Sequence, residues 1–262
     1  MRLVVDIGNT NISVGIMDTH RVLKCWRLAT QMHRTRDEFT ILMKGLIRDA
    51  MIDLERLDSA AISCVVPPLL EPVRESLHTL VGPACLTVEP GIRIGMHVHY
   101  TVTSNVGADR IVNACAAKQF YGYPVLIIDF GTATTFCVVD THGDYCGGAI
   151  FPGIRTISEA LSSSASLLPR VSFKKPEQIV GQSTVQSMQS GLFYGSIDMI
   201  EGMIQRIRAE YPDIRTVVAT GGFSSFLKNH TASFTHIDEN LTLRGLDLLY
   251  DMNTGSETFI VW

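Results

Sequence analysis

The sequence predicts a mixed α/β fold built from two similar halves, and two observations carry this prediction. An apolar, β-branched run ends in an acid and a glycine at two places, in "LVVDIGNT" (3–10) and in "LIIDFGTATT" (126–135). The aspartates of these runs, Asp6 and Asp129, are 123 residues apart, close to half of the 262-residue chain. A repeat of this length indicates two duplicated halves, because the repeats of solenoid proteins are shorter.

In the first half, the buried first strand is followed by a hairpin partner, "NISVGIMD" (11–18), with Gly and Asn at the turn. A helix is predicted over 35–51, since Thr35 and Glu38 have the spacing of a capping box and apolar residues follow at helical spacing. The segment "DSAAISCVVPPLL" (58–70) predicts another buried strand, which two prolines end.

The second half is expected to repeat this plan. A helix opening at Gly107 leads into the strand "VLIID" and its hairpin partner "TTFCVVD", and a later strand, "VVATGG", ends in a double-glycine turn. We expect the border between the halves inside that helix. This gives an N-terminal domain at 1–115, a C-terminal domain at 116–255 and a short tail at 256–262.

A long helix is predicted from Thr184 to about Tyr211, and three glycines (Gly191, Gly195 and Gly202) lie inside it. Each glycine inside a helix costs about 1 kcal/mol relative to alanine. We therefore expect another backbone to come close to this helix.

Composition excludes several classes of protein. With 46% hydrophobic and 18% charged residues, the chain is predicted to form a globular core. A net charge of −4 without any block of Lys or Arg disfavours nucleic-acid binding. No uncharged apolar run approaches 18 residues, and Asp6 interrupts the apolar start, so neither a membrane span nor a signal peptide is expected. Six scattered cysteines without a C-x-x-C pair indicate reduced thiols and a cytoplasmic location.

The two Asp-Gly stretches are candidate phosphate loops. The chain lacks G-x-x-x-x-G-K-[ST], and no G-x-G-x-x-G follows a strand, which excludes a P-loop and disfavours a dinucleotide-binding fold. Glycine lets backbone N–H groups approach an anion, and an aspartate before the turn can hold a cation directly or through water. A single motif of this kind is also typical of an ordinary hairpin turn. Two copies half a chain apart favour phosphate binding.

The paired loops resemble those of the acetate and sugar kinase, Hsp70 and actin superfamily. This resemblance implies two RNase-H-like (actin-like ATPase) domains, each with a mixed sheet flanked by helices, and a cleft between them that binds ATP. The strand "VVATGG" resembles the adenosine-binding segment of that superfamily.

A closer resemblance, to type III pantothenate kinases, covers about residues 3–249. It is carried, in order, by "DIGNTN", "VGADRIVNA", "DFGTATT", "GGAIFPG", "LPRV", "GQSTVQSMQSG" and "TGGFSS". The implied activity is the ATP-dependent phosphorylation of pantothenate to 4′-phosphopantothenate, the first step of coenzyme A biosynthesis.

The resemblance assigns Asp109 as the general base that accepts the proton of the substrate hydroxyl. The residues that it assigns to pantothenate binding are Tyr100, Gly107, Ala108, Asp109, Arg110 and Thr184. Simpler interpretations stay open for each of the side chains. Asp109 can merely cap the helix, Arg110 can be an exposed helical residue, Tyr100 can pack, and Thr184 is also a plausible N-cap.

The residues that the resemblance assigns to ATP are Asp6, Ile7, Gly8, Asn9, Thr10, Asn11, Ile12, Ser13 and Thr132. Asp6, Asp109 and Asp129 would place three negative charges near a nucleotide that carries about four, and only Arg110 opposes them, so bound cations are required. We expect Mg²⁺ with ATP near Asp6, through water, and a monovalent cation, K⁺ or NH₄⁺, at Asp129.

The expected partners are ATP, pantothenate and a second copy of the chain, since the family forms homodimers. The Gly-interrupted helix and the Ala-rich segment "VNACAA" are candidates for that interface. Two other functions stay open: a sugar or acetate kinase of the same superfamily, and a non-catalytic regulator with an actin-like fold. The family pattern does not explain the apolar tail "NTGSETFIVW".

Overall fold

The computed structural model describes residues 1–255 and 262, and these form two compact units. Unit 1 comprises Met1–Gly122, Gly143–Gly147 and Asn240–Trp262, and unit 2 comprises Tyr123–His142 and Gly148–Glu239. The expected border between residues 115 and 116 lies inside a helix of unit 1, and the last helix of the chain also belongs to that unit. The division into halves at this border stays a prediction.

Five strands form the first sheet: β1 (Arg2–Ile7), β2 (Asn11–Asp18), β3 (Arg21–Ala29), β4 (Ser59–Cys64) and β5 (Cys85–Thr87). Their order across the sheet is β3-β2-β1-β4-β5, with β1 antiparallel to β2 and parallel to β4. Leu3, Val4 and Val5 of β1 are buried. The continuous apolar run that predicted this strand is what a central strand covered on both faces requires.

Five further strands form the second sheet: β6 (Val125–Phe130), β7 (Ala133–Val139), β8 (Tyr145–Pro152), β9 (Thr216–Gly221) and β10 (His236–Ile237). Their order is β10-β9-β6-β7-β8, with β6 antiparallel to β7 and parallel to β9. Read from β8, this order matches that of the first sheet strand for strand. The prediction of a duplicated mixed-sheet α/β fold is confirmed.

The described residues form seven α-helices: α1 (Arg36–Asp49), α2 (Pro67–Val81), α3 (Ala108–Tyr121), α4 (Ile154–Ser164), α5 (Thr184–Glu210), α6 (Ser224–Lys228) and α7 (Leu241–Thr254). Short 3₁₀ turns lie at Leu54–Arg56 and Thr103–Asn105. Within this part of the chain, no helix has the length and apolar character needed to cross a membrane.

Local signals at the helix ends were largely correct. α1 has the predicted capping box, with Thr35 and Glu38 each bonding the other's backbone N–H. Pro67, expected only to end a strand, also opens α2, because proline suits the first turn of a helix. The N-cap of α5 is Ser183, whose hydroxyl accepts from the Gln186 N–H, so the alternative interpretation of Thr184 as the N-cap was wrong.

The glycines of α5 do not lie against another backbone within the described residues. A Cβ added to Gly191 or Gly195 would meet nothing within 4 Å. The close approach occurs elsewhere, where a Cβ on Gly245 of α7 would lie 2.6 Å from the Val112 carbonyl oxygen of α3. The "VNACAA" segment of α3 is buried inside unit 1, so it is not available to a second subunit.

The helix α7 is tied to the first strand by charge. The Arg2 guanidinium pairs with the buried carboxylate of Asp247 and, at 2.7 Å, with Asp251. It also lies 3.9 Å from the ring centroid of Tyr250. His20 Nδ1 lies 2.9 Å from the second oxygen of Asp247. These contacts fix the C-terminal helix onto the sheet that carries Asp6.

Candidate active site

The first Asp-Gly loop is a tight turn between β1 and β2. The Gly8 N–H donates to the Asn11 carbonyl oxygen at 3.0 Å, and the Thr30 hydroxyl donates to the Gly8 carbonyl oxygen at 2.7 Å. A Cβ on Gly8 would lie 2.9 Å from the Asn11 oxygen, so a side chain at this position would open the turn. Asn9 at its tip is exposed. These hydrogen bonds therefore fix the base of the loop, while its tip is exposed to solvent.

Asp6 lies at the end of β1, beside Ser63 of the parallel strand β4. The Ser63 hydroxyl donates to Asp6 Oδ1 at 2.6 Å. Burial raises the pKa of the Asp6 carboxyl to about 7, the Ser63 hydrogen bond opposes this rise, and the negative charge of Asp109 adds to it. An acid that is costly to ionise in this way gains most from a bound cation.

Asp109 lies in the first turn of α3. Gly107 is the N-cap and provides no side-chain cap, so Asp109 does not occupy the capping position. Asp109 Oδ1 accepts from the Arg110 N–H at 2.8 Å, and a Cβ on Gly107 would lie 2.6 Å from that oxygen. Burial raises the pKa of Asp109. Because Gly107 has no side chain, the Asp109 carboxylate has room to fold back over the N-terminus of α3.

Arg110 is buried, which overturns its interpretation as an exposed helical residue. Its guanidinium carbon lies 5.9 Å from the ring centroid of Tyr100 and 5.8 Å from that of Tyr145. Tyr100 is 37% exposed, whereas Tyr145 is fully buried. Unit 1 thus places Asp109, Arg110 and Tyr100 together, with Tyr145 behind them.

The second Asp-Gly loop, in unit 2, is one residue shorter than the first. Phe130 pairs with Thr134 across this hairpin, whereas Ile7 pairs with Ile12 across the first. Thr132 is exposed at its tip. The Thr132 carbonyl oxygen accepts from the Gly153 N–H at 2.9 Å, so the loop is fixed to the start of α4.

Asp129 is the last residue but one of β6 and pairs with Thr135 of β7 on one side and Thr220 of β9 on the other. Gly221, which follows Thr220 at the end of β9, has φ of +84°, a conformation that favours glycine. A Cβ there would lie 2.5 Å from Asp129 Oδ1 and 2.7 Å from the Phe130 carbonyl oxygen. The glycine keeps open a small cradle bordered by two oxygens.

Thr184 lies in unit 2, at the first position of α5, and is exposed. It lines a cavity of about 1000 Å³. The apolar lining comes mainly from Phe151, Ile157, Leu161, Leu168, Met188 and Leu192. Gly191 and Gly195 form part of the same wall, and Gln182 and Ser183 are polar groups next to Thr184. Gly191 and Gly195 therefore face open space.

The structure thus distributes the predicted residues over both units. Unit 1 holds the first loop, Tyr100 and the block Gly107–Arg110, and unit 2 holds Asp129, Thr132 and Thr184.

Sequence reasoning missed Ser63 and Tyr145. A lone serine in the buried strand "SAAISC" was the available signal for the first, and no local pattern indicated the second.

Solved structures support the fold. A conserved putative Baf family transcriptional activator from Campylobacter jejuni aligns with a TM-score of 0.59 and 20% identity, over 96% of this chain and 98% of the other. A putative 2-dehydro-3-deoxygalactonokinase from Sinorhizobium meliloti aligns with a TM-score of 0.56 and 11% identity, over 100% of both chains. At these identities the likeness concerns the fold alone.

Relatives found by sequence are much more similar to this chain than these solved structures are. The family model for type III pantothenate kinase matches residues 2–206. Proteins named type III pantothenate kinase from Brevibacillus brevis and Geobacter sulfurreducens are 43% and 44% identical over 253 residues, which is 97% of this chain and 99% of each relative. The prediction from the sequence is confirmed, since the chain belongs to the type III pantothenate kinase family and is a kinase.

Proposed function

We propose that this protein transfers the γ-phosphoryl group of ATP to the primary hydroxyl of pantothenate, which gives ADP and 4′-phosphopantothenate for coenzyme A synthesis. The observation that carries the proposal is the partly buried Asp109 carboxylate beside Arg110, whose guanidinium lies near Tyr100, at the start of α3. Phosphoryl transfer depends on positioning and charge stabilisation, with a base at the attacking hydroxyl.

In this mechanism Asp109 is the general base. Burial raises the pKa of its carboxyl, which makes the carboxylate a better proton acceptor than an exposed aspartate. Pantothenate is bound by Tyr100 and Gly107–Arg110, with the Arg110 guanidinium suited to its carboxylate. Asp109 then receives the proton of the hydroxyl as the oxygen attacks the phosphorus.

ATP is bound by both Asp-Gly loops, one from each of the halves 1–115 and 116–255. Residues Asp6–Ser13 provide backbone N–H groups and small polar side chains to the phosphates, and the Thr132 hydroxyl adds a donor. The exposed tips of both loops support this assignment. The segment 217–222 is assigned to the adenosine.

The residues present fit two cations. Asp6 is an oxygen donor whose pKa is raised by burial and by the neighbouring charge of Asp109, and a divalent cation would relieve both effects. When bound with the ATP phosphates, Mg²⁺ would neutralise part of the negative charge that develops during phosphoryl transfer. Asp129 with the Phe130 carbonyl oxygen, beside the space that Gly221 leaves open, fits K⁺ or NH₄⁺.

A homodimer is the proposed assembly. Phe151 and Leu161, which line the same cavity as Gly191 and Gly195, are 39% and 38% exposed, and Val185, which follows Thr184 on α5, is 42% exposed. An apolar surface of this kind is typical of a protein interface. A second copy would cover it and would bring another chain close to Thr184. Sedimentation at several concentrations tests this, and a monomer at micromolar concentration would contradict it.

A coupled assay for ADP with ATP, Mg²⁺, K⁺ and pantothenate tests the activity, with glucose and acetate as competing acceptors. We expect turnover with pantothenate. Turnover only with another acceptor would indicate a different kinase, and no turnover with any acceptor would favour a regulator. Replacing K⁺ with Na⁺ should lower the rate sharply, and an unchanged rate would contradict the role of Asp129.

The variant Asp109→Asn tests the base. It should lower kcat by about 10²- to 10⁴-fold, as the loss of a general base does, while calorimetry shows ATP binding retained. The side chain keeps its size, so a folding defect is not expected. A kcat close to that of the wild-type protein would contradict the assignment.

A further inference from the structure

Tyr145 belongs to a short segment, Gly143–Gly147, that precedes and opens β8 yet is part of unit 1. It forms a parallel bridge with Val98. The His99 N–H donates to the Tyr145 carbonyl oxygen at 2.8 Å, and the Tyr145 N–H donates to the His97 carbonyl oxygen at 2.9 Å. The segment is therefore hydrogen-bonded to the backbone that leads directly into Tyr100.

The helix α3 is hydrogen-bonded to both backbones through one lysine. Lys118 Nζ donates to the carbonyl oxygens of Gly95 and Gly143, each at 2.8 Å. The His97 N–H donates to Asp144 Oδ1 at 2.9 Å. Arg110 lies about two turns before Lys118 on the same helix. Hydrogen bonds thus join α3, the segment Gly143–Gly147 and the backbone before Tyr100, close to the Arg110 guanidinium.

Two aromatic rings flank that guanidinium, and they differ in exposure. Tyr100 is 37% exposed, as a substrate contact should be, whereas Tyr145 has no exposed surface. Each ring centroid lies within 6 Å of the Arg110 guanidinium carbon, the range of a cation–π contact. Gly147, with φ of +102°, leaves space for Tyr100, because a Cβ there would lie 3.3 Å from its ring.

We propose that Tyr145 is a positioning residue for pantothenate binding, whose ring face holds the Arg110 guanidinium in the orientation that presents its N–H groups to the substrate. The inference rests on the proposed function. Tyr145 cannot touch the substrate from its buried position, and it acts through Arg110. The N–H donors of an arginine guanidinium lie in one plane. The orientation of the Arg110 guanidinium therefore decides whether two of its N–H groups reach the carboxylate of pantothenate together.

The experiment compares Tyr145→Leu, which removes the ring, with Tyr145→Phe, which keeps it. We expect Tyr145→Leu to raise KM for pantothenate about 30-fold, the equivalent of about 2 kcal/mol for a desolvated cation–π contact, with KM for ATP changed less than about threefold. Tyr145→Phe should recover most of the affinity. The dissociation constant for pantothenate, measured by calorimetry, should follow KM.

The matched control is Phe39→Leu, which removes another fully buried ring of unit 1, on α1. It should lower the melting temperature without raising KM for pantothenate. In the Arg110→Gln background, Tyr145→Leu should have little further effect, because the two residues act as one unit. Full additivity would show that Tyr145 is only part of the core, and would overturn the inference.

A third measurement applies even if Tyr145→Leu does not fold. Phenylalanines with increasing fluorination at position 145 weaken the negative face of the ring with little change in its size, so KM for pantothenate should rise stepwise. A flat series overturns the inference. If the wild-type protein does not phosphorylate pantothenate, the proposed function fails and the inference with it. An active wild-type protein with an unchanged KM in Tyr145→Leu overturns the inference alone.

Discussion

Asp6→Asn should make the protein more stable at alkaline pH in the absence of ATP and metal. Burial raises the pKa of Asp6 from its ordinary 3.8 to about 7. One unit of pKa corresponds to about 1.4 kcal/mol, so the ionised carboxylate lowers the free energy of unfolding by up to about 4 kcal/mol. Because Asp6 keeps partial contact with solvent, we expect a measured gain of about 1–4 kcal/mol.

The dependence on pH follows from the direction of the shift. Below about pH 4, Asp6 is protonated in the folded and unfolded states, so the wild-type protein and Asp6→Asn should be equally stable. Between about pH 4 and pH 7 the unfolded chain releases this proton while the folded wild-type protein keeps it, so the relative stability of the wild-type protein falls over this range and is fully lost above about pH 7. The full difference should be present near pH 8.5.

The assay is urea unfolding in a chelating buffer from pH 5 to 8.5, followed by fluorescence. Trp26 on β3 reports on the sheet that contains Asp6, and a Trp262→Phe background removes the second tryptophan. The control is Asp18→Asn, which removes an exposed carboxylate from the end of β2. A difference between wild type and Asp6→Asn that does not grow with pH, or an Asn variant less stable at pH 8.5, would refute the reasoning.

Three smaller changes test other contacts. Gly147→Ala should raise KM for pantothenate but not for ATP, because its Cβ would press on Tyr100; an equal change in both would contradict this. Gly221→Ala should lower the free energy of unfolding by about 2 kcal/mol or more, because Gly221 has φ of +84° and an added Cβ would collide with Asp129. An unchanged melting temperature would contradict this, since it would mean that the structure around Asp129 adjusts at no cost. Thr35→Ala should cost about 1 kcal/mol in urea unfolding with kcat unchanged, and no loss would mean that the capping box contributes nothing.

Features encoded by neighbouring residues were predictable from the sequence. The hairpin turns, the capping box at Thr35 and the extent of α5 depend on spacing within one segment, and the structure has them at the expected positions. The Asp-Gly repeat also indicated the duplicated sheets, because each copy lies at the end of a central strand.

Contacts between distant segments were not predictable in this way. Ser63 reaches Asp6 from a strand 57 residues later, and nothing in "SAAISC" states which strand will be its neighbour. Tyr145 reaches Arg110 through a turn that follows the second hairpin. Gly191 and Gly195 of α5 indicated a close backbone, but within the described residues they face an open cavity, so the close approach stays a prediction for a second copy of the chain.

The tie between Arg2 and helix α7 has a consequence for the order of folding on the ribosome. The first strand leaves the ribosome early, but Asp247 and Asp251 are synthesised 245 and 249 residues after Arg2. At about 5–20 residues per second, the nascent first sheet waits about 10–50 s for the helix that covers it. A chain cut before residue 240 would keep that apolar face exposed, so we expect truncated products to engage chaperones and proteases rather than to accumulate as a half-sized domain.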